Sequence, residues 1–132
     1  MAFQFSTAAR NAALDAIEST AGTTPTLEIR TGAAPATAGT ADSGTLLATL
    51  TLPSDWLAAA SGGSKAKAGT WSGTASGSGT AGHFRIKQGA TVHIQGSITA
   101  TGGGGDMTLV NTSLATSQPI TIDTFTLSAG GA

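Results

Sequence analysis

Between Ala81 and Thr101 the chain reads AGHFRIKQGATVHIQGSITAT, and apolar residues recur at every second position on both sides of a central turn. Phe84 and Ile86 alternate with His83, Arg85 and Lys87. Val92, Ile94, Ile98 and Ala100 alternate with His93, Gln95, Ser97 and Thr99, with Gly96 in the apolar phase. A period of two is the mark of a strand that buries one face, so this stretch predicts a hairpin with one dry side and one wet side. Parity narrows the turn. A three-residue loop, Lys87-Gln88-Gly89, with Gly89 at positive φ, sets Phe84 opposite Val92 and apolar against apolar. A two-residue loop at Gln88-Gly89 would set Ile86 against Thr91 and turn one strand's apolar side to water. The favoured register also brings His83 opposite His93.

The same alternation recurs along the chain. Ser6 or Thr7 can cap a helix over residues 8–19, an Ala-rich segment whose weakly apolar face carries Leu14 and Ile17, with Gly22 as its C-cap. Phe3 and Phe5 stand ahead of it, which predicts a helix docked loosely on a sheet or lying against another subunit. Residues 26–31 (TLEIRT) read as a first strand, and 46–52 as a second that Pro53 stops. Between them, residues 32–44 are small and polar and read as a long surface loop. Trp56 and Leu57 are expected to tuck under the sheet, residues 61–67 to be exposed and mobile, and residues 69–75 to form a strand anchored by Trp71. After the breaker Gly102-Gly103-Gly104-Gly105, residues 106–109 open another strand. In the last one Ile120 and Ile122 share a phase that Phe125 and Leu127 leave, so a bulge is expected near Asp123-Thr124. About seven short strands with Gly-rich turns argue for an all-β fold, an antiparallel, jelly-roll-like β-sandwich over residues 26–132, preceded by an N-terminal arm and short α-helix over 1–25.

Composition bounds what such a fold can bury. Leu, Ile, Val and Phe supply 23 of 132 residues, a share low enough to raise disorder, yet the net charge is only −1 and disorder of that kind needs a large one. The expectation is a folded β domain whose thin core partner subunits help to complete. The balanced charge gives no electrostatic footprint for nucleic acid or an anionic membrane. Cysteine is absent, which excludes disulfides and thiolate chemistry. The first residues carry no basic segment followed by an apolar run, so no secretory signal is expected, and no window approaches about 20 apolar residues.

Candidate chemistry is sparse. Two imidazoles at His83 and His93 could approach one metal ion, but they lack a third ligand and share their face with Arg85, so a wet-face or interface pair is the expectation. The Gly102–Gly105 run lacks the Lys-Ser/Thr and the helix start of a phosphate loop. The carboxylates Asp15, Glu18, Glu28, Asp42, Asp55, Asp106 and Asp123 show no pairing spacing, and there is no GxSxG elbow. No catalytic residue, cofactor or metal is expected. Trp56 and Trp71 are read as core or subunit-contact residues.

The segments GTLLATLTLPSDWLAAASGG, GTASGSGTAGHFRI, VHIQGSITATGGGGDMTL and PITIDTFTLSAG together resemble a family of small structural proteins of tailed bacteriophages and prophages. The likeness covers roughly residues 26–129, and GTA-x-HFRI with the later GGGGDM carries most of it. It implies a virion component on the capsid exterior, a decoration or cement protein bound to the major capsid protein and often trimeric, with no catalytic or cofactor residue to carry over. A tail- or fibre-associated module that contacts the host surface is the alternative. The residues expected at such contacts are Phe3, Phe5, Trp56, Lys65, Lys67, Trp71, His83 and His93, with residues 1–20 and 61–68 reaching the shell or neighbouring subunits.

Overall fold

A computed structural model describes residues 3–130. The first two and last two residues, which the sequence reading placed in the arm and at the end of the β domain, lie outside the described residues. The chain is all-β with a short N-terminal helix. In order it forms α1 (Thr7–Ala21), β1 (Thr26–Thr31), β2 (Leu46–Thr51), β3 (Ser64–Ala66), β4 (Ser72–Thr74), β5 (Gly79–Gln88), β6 (Thr91–Ala100), β7 (Met107–Leu109), β8 (Ser113–Leu114) and β9 (Pro119–Ser128).

The strands run side by side in the order β2-β1-β5-β6-β7-β9-β3, with β4 also on β9 and β8 on β5. This path folds back on itself. Strands β5 and β9 are three steps apart, yet Phe84 and Phe125 meet edge to face with centroids 5.4 Å apart. At the opposite side, Ser76 N–H donates to Leu47 C=O (2.8 Å), joining the chain just after β4 to β2. All pairs are antiparallel except β6 with β7, which the GGGGD turn returns in parallel.

One apolar core fills the space inside. Trp56, Trp71, Phe125 and Phe84 form a chain of ring contacts with centroids 5.4–6.0 Å apart, joined by Leu27, Ile29, Leu50 and Ile86. Each large side chain buried this way contributes about 1.5–3 kcal/mol. Both indoles also satisfy their N–H, Trp56 on Gly22 C=O (3.0 Å) and Trp71 on Ala68 C=O (3.1 Å). Partner subunits are not needed to bury these four rings, which are enclosed within one chain. The tuck of Trp56 and Leu57 holds, with both buried.

Bulges set which residues face this core. Asp123 is the extra residue opposite Thr108 and Leu109, as the phase change in β9 predicts. A second bulge was not foreseen. Gln88 pairs with Thr91 around a two-residue Gly89-Ala90 turn, and His93 is then skipped so that Ile86 meets Ile94. The three-residue loop and the Phe84–Val92 pairing are thus corrected: parity is restored by the bulge, not by loop length. Phe84 instead faces Gly96, where a Cβ would sit 2.9 Å from its ring, so the missing side chain is what admits the phenyl group.

Candidate functional site

The polar face of the hairpin is covered on its β5 half, while on β6 Ser97 is exposed and His93, Gln95 and Thr99 are half-buried. On β5, His83, Arg85 and Lys87 are 0%, 1% and 8% exposed. Their side chains share a face with Glu28 and Arg30 of β1, because Glu28 pairs with Arg85 and Arg30 with His83. The loop of residues 32–44 lies across this face, and Arg85 holds it there. Its guanidinium donates to Asp42 Oδ1 (2.6 Å) and to the carbonyls of Thr37 (3.3 Å), Ala38 (3.0 Å) and Thr40 (2.8 Å). Its Nε donates to Gln95 Oε1 (3.1 Å), and Gln95 in turn donates to Pro35 C=O (2.8 Å). A flat fork of donors suits this work, since one side chain satisfies a carboxylate and several curved backbone carbonyls together.

Three cations meet two carboxylates here. Lys87 Nζ lies 2.8 Å from Asp42 and 3.0 Å from Glu28, while Arg30 reaches Glu28 at 3.0 Å and Asp42 at 3.3 Å. Hydrogen bonds from Lys87 and then Arg85 hold the Asp42 carboxyl at a pKa of about 2, against burial, which acts the other way. Burial alone would lower the Lys87 ammonium, but its bonds to Asp42 and Glu28 outweigh that and raise it. A recess of about 460 Å³ opens between Thr40, Asp42, Arg85, Lys87, Ala90 and Val92. Every nitrogen of Arg85 that borders it is already engaged, so the cluster works as a latch on the loop.

A second polar set docks α1. Ser6 caps it by accepting from Ala9 N–H (3.1 Å), and Gly22 closes it at φ 80° with its N–H on Glu18 C=O (2.9 Å). Asn11, Asp15 and Glu18, spaced i, i+4, i+7, lie along one face. Asn11 Oδ1 accepts from Gly63 N–H (2.9 Å), while Asp15 and Glu18 flank Lys65 Nζ at 2.6 and 2.7 Å. Burial would lower the Lys65 ammonium, yet the two carboxylates raise it. Gln88 ties the far end by donating to Ala21 C=O (2.7 Å). The helix is thus fixed to the body by polar bonds and by Leu14, 1% exposed, which corrects the expectation of loose docking.

The residues singled out in the sequence do not gather in one place. Trp56 and Trp71 are 0% exposed, so as contact residues they are corrected to core. Lys65 is 4% exposed in β3, and residues 61–67, expected to be mobile, contain that strand and a Ser61–Ser64 bridge. Lys67 is half-buried and donates to Gly69 C=O (3.4 Å). His83 and His93 are not opposite each other: His83 pairs with Ser97, and His93 sits in the bulge beside Ala16, Ile17 and Thr20. His83 is sealed from solvent with Nδ1 2.9 Å from Gly32 O, so the pair cannot share an ion or an outer surface. Among the described residues no group of three or more His, Asp or Glu side chains is placed to hold a metal ion. Phe3 and Phe5 are 87% and 56% exposed. Comparison with protein-family models, curated proteins and solved structures finds no match.

Proposed function

We propose that this chain is a non-catalytic structural component of a tailed-phage virion, a decoration or cement protein that binds the outer surface of the capsid through its N-terminal arm. The observation that carries the reading is the contrast in burial: the ionised groups of β1, β5 and the 32–44 loop bond to one another, while Phe3 and Phe5 stand in water. An exposed pair of phenyl rings at a chain end costs solubility and is retained where a partner covers it. The motif likeness of residues 26–129 to small phage structural proteins implies the major capsid protein as the partner. Many weak arms acting together on a repeating shell give avidity without a deep interface. Homotrimers on that shell are the expected assembly.

Immunogold labelling of virions with an antibody to this chain tests the proposal. Gold over the head supports it; gold confined to the tail or fibres would transfer the chain to the host-contact alternative, and unlabelled virions would remove it from the particle.

A further inference from the structure

Strand β7 is only three residues long, and it stops at Met107, opposite Ile98 on β6 and Phe125 on β9. Beyond that point β6 and β9 run on with no strand between them. The result is a cleft of about 340 Å³ in the wall of the sheet, with Phe84 and Phe125 at its floor, Ile94 and Leu127 on its sides and Asp106 at its end.

Its two walls present edges of β6 and β9 that no strand pairs. Ser97 N–H donates to Asp106 Oδ2 (3.0 Å), so the Ser97 backbone points toward the β7 side, and by strand alternation that of Gln95 does too. Across the gap, Phe125 C=O accepts from Lys67 N–H and Ala129 N–H donates to Gly63 C=O, both away from the cleft. Alternation then turns Thr126 and Ser128 into it. A slot one strand wide, with donors and acceptors on both walls and rings below, is shaped for an extended peptide.

We propose that this cleft receives the N-terminal arm of a second copy of the chain, added as a short strand in line with β7. Continuing the β6-β7-β9 ladder past Met107 puts one inward position level with Gly96 and Leu127 and the next level with Ile94 and Ala129, with an outward position between them level with Gln95 and Ser128. Apolar, polar, apolar is the order of Phe3-Gln4-Phe5. The space at Gly96 is filled by the Phe84 ring, which with Phe125 is the floor that an inward ring would meet. Within its own molecule the arm stops at the end of this slot without entering it: Phe5 lies beside Ala9, Arg10, Ala13 and Ala129, and Phe3 is 87% exposed. Exchange of such arms between copies would join them without altering either body. The inference shares with the proposed function the reading of the arm as the contact element.

Because the chain has no cysteine, a cross-strand disulfide reports the docking directly. Full-length tagged chain carrying Gln4→Cys is mixed with untagged chain carrying Ser128→Cys under mild oxidation, with Thr49→Cys, at an exposed position of β2, as the collision control. A mixed disulfide forming at least tenfold faster than with the control, and falling to the control rate when Phe3→Asp and Phe5→Asp are added to the arm, is the expected result. No excess over the control, or an excess that survives the two aspartates, overturns the proposal. So does a chain bearing both cysteines that closes only on itself while the mixed pair stays at control level, which would make the arm's own body the acceptor. Virions are not involved, so failure here leaves the capsid role standing, and unlabelled virions would leave the arm exchange standing.

Discussion

Arg85 and Phe3 are each where the other would be expected: the guanidinium is 1% exposed and the phenyl ring 87%. The difference lies in what surrounds them. Around Arg85 the chain supplies a carboxylate and several carbonyls, because the 32–44 loop has no large apolar side chains with which to hold its shape and takes it from one donor-rich cation instead. Around Phe3 the described residues supply little cover, since it precedes the Ser6 cap and only Phe5 rests beside Ala9 and Ala13 of α1. Polar residues thus build the body of this molecule as much as apolar ones do, and its exposed rings are held out of the body.

The strongest way to break this comparison is at Arg85. Arg85→Ala removes the donor to the Thr37, Ala38 and Thr40 carbonyls and one of the three cations on Asp42, which keeps Lys87 and Arg30, and should cost about 2–3 kcal/mol in denaturant unfolding. Limited proteolysis should cut the variant within residues 36–42. A loss below about 1 kcal/mol would show that the loop holds itself.

Acid offers a milder test of the same latch. The folded carboxyl of Asp42 titrates at about 2 against an ordinary 3.8, so its contribution is complete above about pH 4 and disappears as the pH falls toward 2. With its side chain 34% exposed, the discounted effect is about 1–2 kcal/mol. Asp42→Asn should flatten that part of the stability profile, and an unaltered profile would assign the acid sensitivity elsewhere.

At the helix the effect should shrink further. Lys65→Met removes a 4% exposed ammonium but leaves Asp15 and Glu18 60% and 22% exposed, still within reach of water. We expect a loss of about 1 kcal/mol or less by thermal melting, since the relieved burial offsets most of the lost ion pairs. A loss as large as that of Arg85→Ala would mean that the helix, like the loop, depends on its cation. The smallest change belongs to the arm: Phe3→Ser with Phe5→Ser should leave stability within about 0.5 kcal/mol.

What could be read beforehand follows the same division. The β1 boundaries, the Ser6 and Gly22 caps, the tuck of Trp56 and the Asp123 bulge were all legible, because each leaves a mark in apolar phase or in a turn residue. The covered face of β5 was not. Alternation at His83, Arg85 and Lys87 reports which side of a strand is apolar; whether another segment lies over the polar side is a tertiary fact. The partners of Arg85 are mostly backbone carbonyls, which no residue type announces. Asp42, alone among the small residues of a long loop that joins paired strands, was the one available signal. The hairpin register failed for a related reason, since the bulge at His93 changes parity without any glycine or proline to mark it. The cleft between β6 and β9 was equally hidden, as it depends on where β7 stops.

The division between a body built from paired charges and an arm proposed to make the contacts is tested most directly by the binding of the Phe3→Ser, Phe5→Ser double variant to purified virions lacking this chain, measured by co-sedimentation beside its own melting curve. The account predicts at least a tenfold weaker association with an unchanged melting temperature. Association at full strength, or a loss that only accompanies unfolding, would contradict it.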